Sequence, residues 1–359
     1  MPDFLDPILA HVPPTAWLYA GFIALVLAFL ALDLGVFHRK AHVVTMREAA
    51  TWTVVWVAAA MLFNVFVYYA YQGHWLGIGQ AVPQLDGVVR DVQGAEAAKL
   101  YLTGYIVEKS LAMDNVFVIA MIFGYFAVPA IYQHRVLFWG IIGALLMRGV
   151  MIGVGAALIQ QFSWIIYVFG GFLILTAFKM ALVKSEGVDP MKNPLVRLVR
   201  RLYPVTPGYE GEKFFSRLNG RRAVTPLSLA LIMVEFTDLI FAVDSIPAIF
   251  AVTADPFLVF TSNIFAILGL RSLYFCLASL IDRFRYLKPA LIAILFFVGV
   301  KMMLVHTPYK VDTTLSLVVI LAILAAGVAA SLLMPTPTKP DPTPTTPTPP
   351  RLQPPPETA

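Results

Sequence analysis

The feature that most restricts this chain is a succession of apolar stretches, each about as long as a helix needs to cross ~30 Å of hydrocarbon. Nine such spans are read, at 16–37, 46–71, 97–123, 133–158, 163–183, 226–251, 256–280, 287–305 and 313–334. In lipid the backbone must satisfy its own hydrogen bonds, which helices of this length do. Composition agrees: 59% of the residues are hydrophobic and 13% charged, against about 25% charged in soluble proteins. The expected fold is an all-α polytopic membrane protein with about nine transmembrane helices. A soluble enzyme and a single-span receptor are both excluded. Cys276 is the only cysteine, which excludes an intramolecular disulfide and a thiolate zinc cluster.

The net charge of +5 reads as a topology signal, and nucleic acid is not an expected partner. Outside the span interiors, one set of alternate segments holds eighteen basic residues, nine of them between Lys184 and Arg222. The opposite set holds three, Arg90, Lys99 and Lys310. Basic residues stay on the cytoplasmic side, so the N-terminus is expected outside and the C-terminus in the cytoplasm. The segment 1–334 forms the transmembrane domain. Its cytoplasmic basic loop, 184–222, suits anionic lipid headgroups, with a protein partner as the alternative. The tail 335–359, with 11 prolines in 25 residues, is expected to be extended or disordered.

Spans three to five resemble spans six to eight. S-L-A-M-D-N at 110–115 aligns with L-I-F-A-V-D-S at 239–245 on Asp114 and Asp244, 130 residues apart, and the same offset pairs Glu108 with Asp238. Arg148 then matches Arg271, and Lys179 matches Lys301. A three-span unit is odd-numbered, so its second copy, 226–305, enters the membrane from the side opposite to the first, 97–183. Such inverted 3+3 repeats belong to secondary transporters, whose substrate site lies near the midplane where the repeats meet.

Eleven charges fall within the spans: Asp33, Glu108, Asp114, Glu235, Asp238 and Asp244 are acidic, and Lys109, Arg148, Lys179, Arg271 and Lys301 basic. Each would cost at least ~2.5 kcal/mol at the bilayer centre, so most must face protein or water. Asp114 and Asp244 are the foremost candidate ligands, because Asn115 and Ser245 add a neighbouring oxygen donor and Pro247 is expected to free a carbonyl by breaking its helix. Carboxylates, amides and carbonyls are hard donors that suit Mg, Ca or Mn, and Met113 offers a softer contact. On a straight helix Glu108 and Asp114 lie about 120° apart, so both reach one site only if that helix unwinds. The basic residues are read as charge compensation for the empty site. The structural alternative makes the acids ion-pair partners, Arg148 with Asp114 and Arg271 with Asp244.

Three motifs, D-L-G-V-F-H-R-K at 33–40, E-K-S-L-A-M-D-N-V-F-V at 108–118 and E-F-T-D-L-I-F-A-V-D-S-I-P-A-I at 235–249, carry a resemblance. The chain is similar to the TerC family of integral membrane proteins, in its Alx-like branch, over about residues 15–334. The resemblance implies the LysE-like transporter superfamily, manganese export across the bacterial inner membrane, and a historical tellurium-resistance label. It carries the family's acidic residues over as Glu108, Asp114, Glu235, Asp238 and Asp244. Mn2+ is then the expected substrate, with no permanent cofactor. A membrane factor for metallation or maturation of exported proteins is the competing reading. An intramembrane hydrolase is not expected, since no G-x-G-D or H-E-x-x-H string occurs.

Overall fold

The computed structural model describes residues 13–35, 44–182, 194–218, 220–278 and 286–334. The side chain of Asp33, the basic residues at 39–40, 184, 192, 283 and 285, and the proline-rich tail 335–359 lie outside the described residues. Helix dominates. α1 is Pro14–Gly35, α2 Met46–Gln72, α3 Gly94–Tyr125, α4 Ala130–Gln161 and α5 Ile165–Leu182. After the short α6, Pro194–Leu202, come α7 Pro226–Phe250, α8 Pro256–Leu268, α9 Leu270–Ala278, α10 Leu287–Met303 and α11 Thr313–Leu333. Two small antiparallel hairpins, β1 Val82–Pro83 with β2 Val89–Arg90 and β3 Phe215–Leu218 with β4 Arg221–Val224, lie in the connections of this otherwise all-α chain.

Among the described residues, six helices are long and apolar enough to cross a membrane, and α8 with α9 makes a seventh if the bent pair is one span. α3 has the length, 32 residues, but Glu96, Lys99, Glu108, Lys109 and Asp114 dilute its apolarity. α10 is 17 residues long. The protein is therefore a multi-pass integral membrane protein, and apolar side chains such as Leu62, Leu146 and Leu175 point outward at 72%, 67% and 69% exposure.

Local chemistry sets the helix starts. Thr45, Thr225, Asp255 and Asp312 cap α2, α7, α8 and α11 by accepting backbone N–H bonds, and Pro226 and Pro256 open α7 and α8 at positions that need no N–H. One expectation fails here. α7 continues through Pro247 to Phe250, because only the last turn follows the proline and its residues are buried. The break falls at Gly269 instead, where α8 and α9 meet at 42°.

The main helix contacts join α3 to α8, α4 to α7 and α5 to α10. At the α5–α10 interface Gly170 and Gly299 approach so closely that a Cβ on either would lie 3.0–3.1 Å from the other's carbonyl oxygen. Contacts near the helix ends form two sets. In one, Asp86 meets Lys310 at 2.9 Å, Tyr71 donates to Asp255 at 2.7 Å and Lys99 to Thr314 at 3.1 Å. In the other, Arg135 meets Glu212 at 2.8 Å, Tyr209 donates to the Phe126 carbonyl at 2.7 Å and Tyr274 to Gln133 at 3.2 Å.

Candidate functional site

The charged centre lies where α3, α4, α7 and α8 meet, and Arg148 of α4 is its hub. Its guanidinium forks onto Asp238 of α7, with Nη2 3.0 Å from Oδ1 and Nε 3.3 Å from Oδ2. Its Nη1 pairs with Glu108 of α3 and comes within 3.4 Å of Ser245 Oγ and 3.5 Å of Asn263 Oδ1. Asn115 of α3 donates its amide to Asp238 Oδ1 at 3.2 Å. Glu108 and Asn263 are fully buried, and Arg148 is 1% exposed. A planar guanidinium suits this position because its five donors can serve two carboxylates at once.

Helix phase decides which residues enter. Residues seven apart return to nearly the same face of an α-helix, whereas residues six apart differ by about 120°. α3 is continuous across Glu108 and Asn115, and α7 across Asp238 and Ser245. Those four residues therefore face the centre, and the two foremost candidates from sequence do not. Asp244 turns to α5, where Thr176 donates to it at 3.1 Å and the Lys179 charge lies nearby. Lys288 on α10 contributes a positive charge near Asp114. Asp114 thus does not pair with Arg148, which takes Glu108 and Asp238 instead.

The other charges have separate surroundings. Glu235, one turn before Asp238, presses its carboxylate against Gly143 of α4, where a Cβ would collide with it. Lys109 donates to the Ala266 carbonyl at 3.1 Å, in the last turn of α8 beside the Gly269 break. Lys301 reaches Ser316 Oγ at 3.3 Å. Arg271 and Asp238 line one cavity together with Ile119, Gly140, Val234 and Leu270. Among the described residues, no group of three or more His, Cys, Asp or Glu side chains is gathered at metal-holding distances. The arginine stands between the acids.

Among the described residues, two buried atoms at the hub, Glu108 Oε2 and Asn263 Nδ2, have no hydrogen-bond partner. Asn263 was not anticipated. Its neighbours Thr261 and Ser262 satisfy their hydroxyls on their own helix, at Phe257 O and Val259 O. Asn263 instead turns its Oδ1 toward the Arg148 guanidinium. A primary amide within an apolar span was the one available signal.

The sequence model of the family described as "Integral membrane protein TerC family" matches residues 93–339. An uncharacterized membrane protein of Myxococcus xanthus is 49% identical over 316 residues, covering 88% of this chain and 92% of that one. A protein of Escherichia coli K12 carrying the name "Putative membrane-bound redox modulator Alx" is 48% identical over 312 residues, or 86% and 92% of the two chains. A membrane protein of Rickettsia bellii is 40% identical over 312 residues. No solved structure matches.

Proposed function

This chain belongs to the TerC family of integral membrane proteins, and from that premise we propose that it exports a divalent cation, manganese foremost, across the bacterial inner membrane. The observation that carries the reading is the buried cluster of Glu108, Asp238, Asn115, Ser245 and Asn263 around one guanidinium. Its oxygens are hard donors suited to manganese. Arg148 occupies the position a cation would take, so it acts as a tethered counter-charge while substrate is absent. A dication entering between Glu108 and Asp238 competes directly with the guanidinium, and the two cations cannot both stay in a low-dielectric pocket. Departure of the metal returns Arg148 to the acids. Glu235 on the cytoplasmic side, with Asp114 and Asp244 flanking the centre, would line the route.

The architecture that serves this function is nine crossings with an inverted repeat, 97–183 and 226–305. The packing supports it. Exchanging α3 with α7, α4 with α8–α9 and α5 with α10 turns the α3–α8 contact into the α7–α4 contact and α5–α10 into itself, as a two-fold relation requires. Nine crossings also account for the end contacts, since each joins segments expected on the same side. The basic asymmetry then puts Asp86, Lys310 and the N-terminus outside, and Arg135, Glu212 and the C-terminus inside.

The relatives' name favours a second reading, modulation of redox state at the membrane. Cys276 is the only cysteine, so dithiol exchange within one chain is unavailable to it. A metallation or maturation factor, docking partners at 184–222, is the other alternative. Purified protein in liposomes tests the choice: manganese flux by the chain alone supports export, and flux that requires an added protein favours the partner-dependent role.

A further inference from the structure

The basic connection between α5 and α7 is not a featureless loop. Its helix α6, P-L-V-R-L-V-R-R-L, is amphipathic. At 100° per residue, Leu195, Leu198, Val199 and Leu202 share one face, and Arg197, Arg200 and Arg201 cluster on the other. α6 rests on α7 through Val196, which is fully buried. Yet Leu198 and Leu202 remain 50% and 64% exposed, an arrangement that water disfavours. In the hairpin that follows, Arg217 and Arg222 stand directly opposite each other, a like-charge pair that destabilises a strand pair. Both arginines are exposed, and so is Phe215, on the same face as Arg217, at 72%.

We propose that α6 and the β3–β4 hairpin form a binding surface for anionic phospholipid headgroups, with Leu198, Leu202 and Phe215 dipping into the acyl boundary. The charge pattern selects the occupant. Exposed leucines beside arginines match an interfacial helix lying in the plane of the bilayer. An anionic headgroup also relieves the Arg217–Arg222 repulsion, which a neutral lipid leaves in place. The surface sits at the same end as the Arg135–Glu212 pair, next to the first turns of α7, the helix that carries Glu235, Asp238 and Ser245. Lipid engagement therefore steadies the end of α7 nearest the proposed cytoplasmic entrance.

The test uses the full chain in nanodiscs of phosphatidylcholine alone or mixed with phosphatidylglycerol. Two quantities are read: thermal stability, and hydrogen exchange over 194–202 and 215–224. The wild type should be stabilised and α6 protected only in the anionic discs, with the difference shrinking at high salt, where screening shortens the reach of charge. Replacing Arg197, Arg200 and Arg201 with Gln should lower the affinity for phosphatidylglycerol about a hundredfold. The pair Arg217→Gln and Arg222→Gln should raise stability in neutral discs while reducing the anionic gain. Leu198→Ser with Leu202→Ser should lose the protection that the wild type gains in the anionic discs. Equal wild-type behaviour in the two lipids overturns the proposal. So does an anionic gain that survives the arginine replacements, or protection of α6 that appears only with a protein partner.

Discussion

Arg148 grips Asp238 with one edge of its guanidinium, Nη2 at 3.0 Å and Nε at 3.3 Å, while its remaining nitrogen serves Glu108. Glu108 and Asp238 are the two positions that the 130-residue offset aligns in the sequence. One cation thus ties together both halves of the chain, at a place where neither acid could be buried alone.

Removing Arg148 as Ala should leave two carboxylates buried without their counter-charge, which typically costs ~3–5 kcal/mol. Membrane abundance and melting temperature should both fall. The triple change Arg148→Met, Glu108→Gln and Asp238→Asn removes the whole charge set and should recover abundance without recovering export. Abundance and manganese protection measured together in an exporter-deficient strain check this, and recovery of both would make the cluster purely structural.

Asn263→Ala deletes a neutral oxygen beside Arg148 and leaves the ion pairs intact. The KM for manganese should rise about tenfold, equivalent to ~1.4 kcal/mol, at normal abundance and little changed maximal rate. Liposome flux at graded manganese concentrations is the measurement, and an unaltered KM would take Asn263 out of the site.

Asp114→Asn and Asp244→Asn should both accumulate normally, because neither acid holds Arg148, and the amide oxygen at 244 still accepts from Thr176. Export should decline less than in Glu108→Gln or Asp238→Asn. Growth on graded manganese ranks the four variants. If the Asp114 and Asp244 changes prove the more severe, the metal binds on that side of the helices.

Orientation can be read with single cysteines in a Cys276→Ser background. A membrane-impermeant thiol reagent applied to intact cells should label a cysteine at position 87, beside Asp86, and spare one at 211, beside Glu212. The reverse pattern would invert the topology.

The Asp86–Lys310 contact ties the outer hairpin to the start of α11. The hydrogen bond from Lys310 holds the Asp86 carboxyl below its usual range. A depressed carboxylate contributes stability at pH values above its unfolded pKa of about 4, and that contribution is lost as the pH falls through its folded pKa. Lys310 is 61% exposed and Asp86 25%, so the pair should be worth less than ~1 kcal/mol. Hydrogen exchange over 82–90 should therefore quicken on acidification and with Lys310→Ala, while the melting temperature barely moves. No change in exchange in Lys310→Ala would show that the hairpin is held elsewhere.

Much of this protein was legible in the chain itself. Apolar runs of bilayer length dictate helices, since a backbone in hydrocarbon has few other ways to bond, and among the described residues six of these, or seven with the bent α8–α9 pair, are long and apolar enough to cross. The same chain supplied the acids and the arginine, because charges are costly enough in such segments to stand out. It did not reveal which of them meet. That choice rests on rotation about each helix axis and on which helices face each other. An unbroken α3 turns Glu108 and Asn115 inward together and carries Asp114 about 120° aside, and α7 does the same with Asp238, Ser245 and Asp244. The packing of α4 and α8 against them then decides that Arg148 fills the centre and that Asn263, marked in the sequence only as an amide within an apolar span, completes its wall. A run of apolar residues specifies that a helix crosses, but only its neighbours specify which side of it is buried in protein.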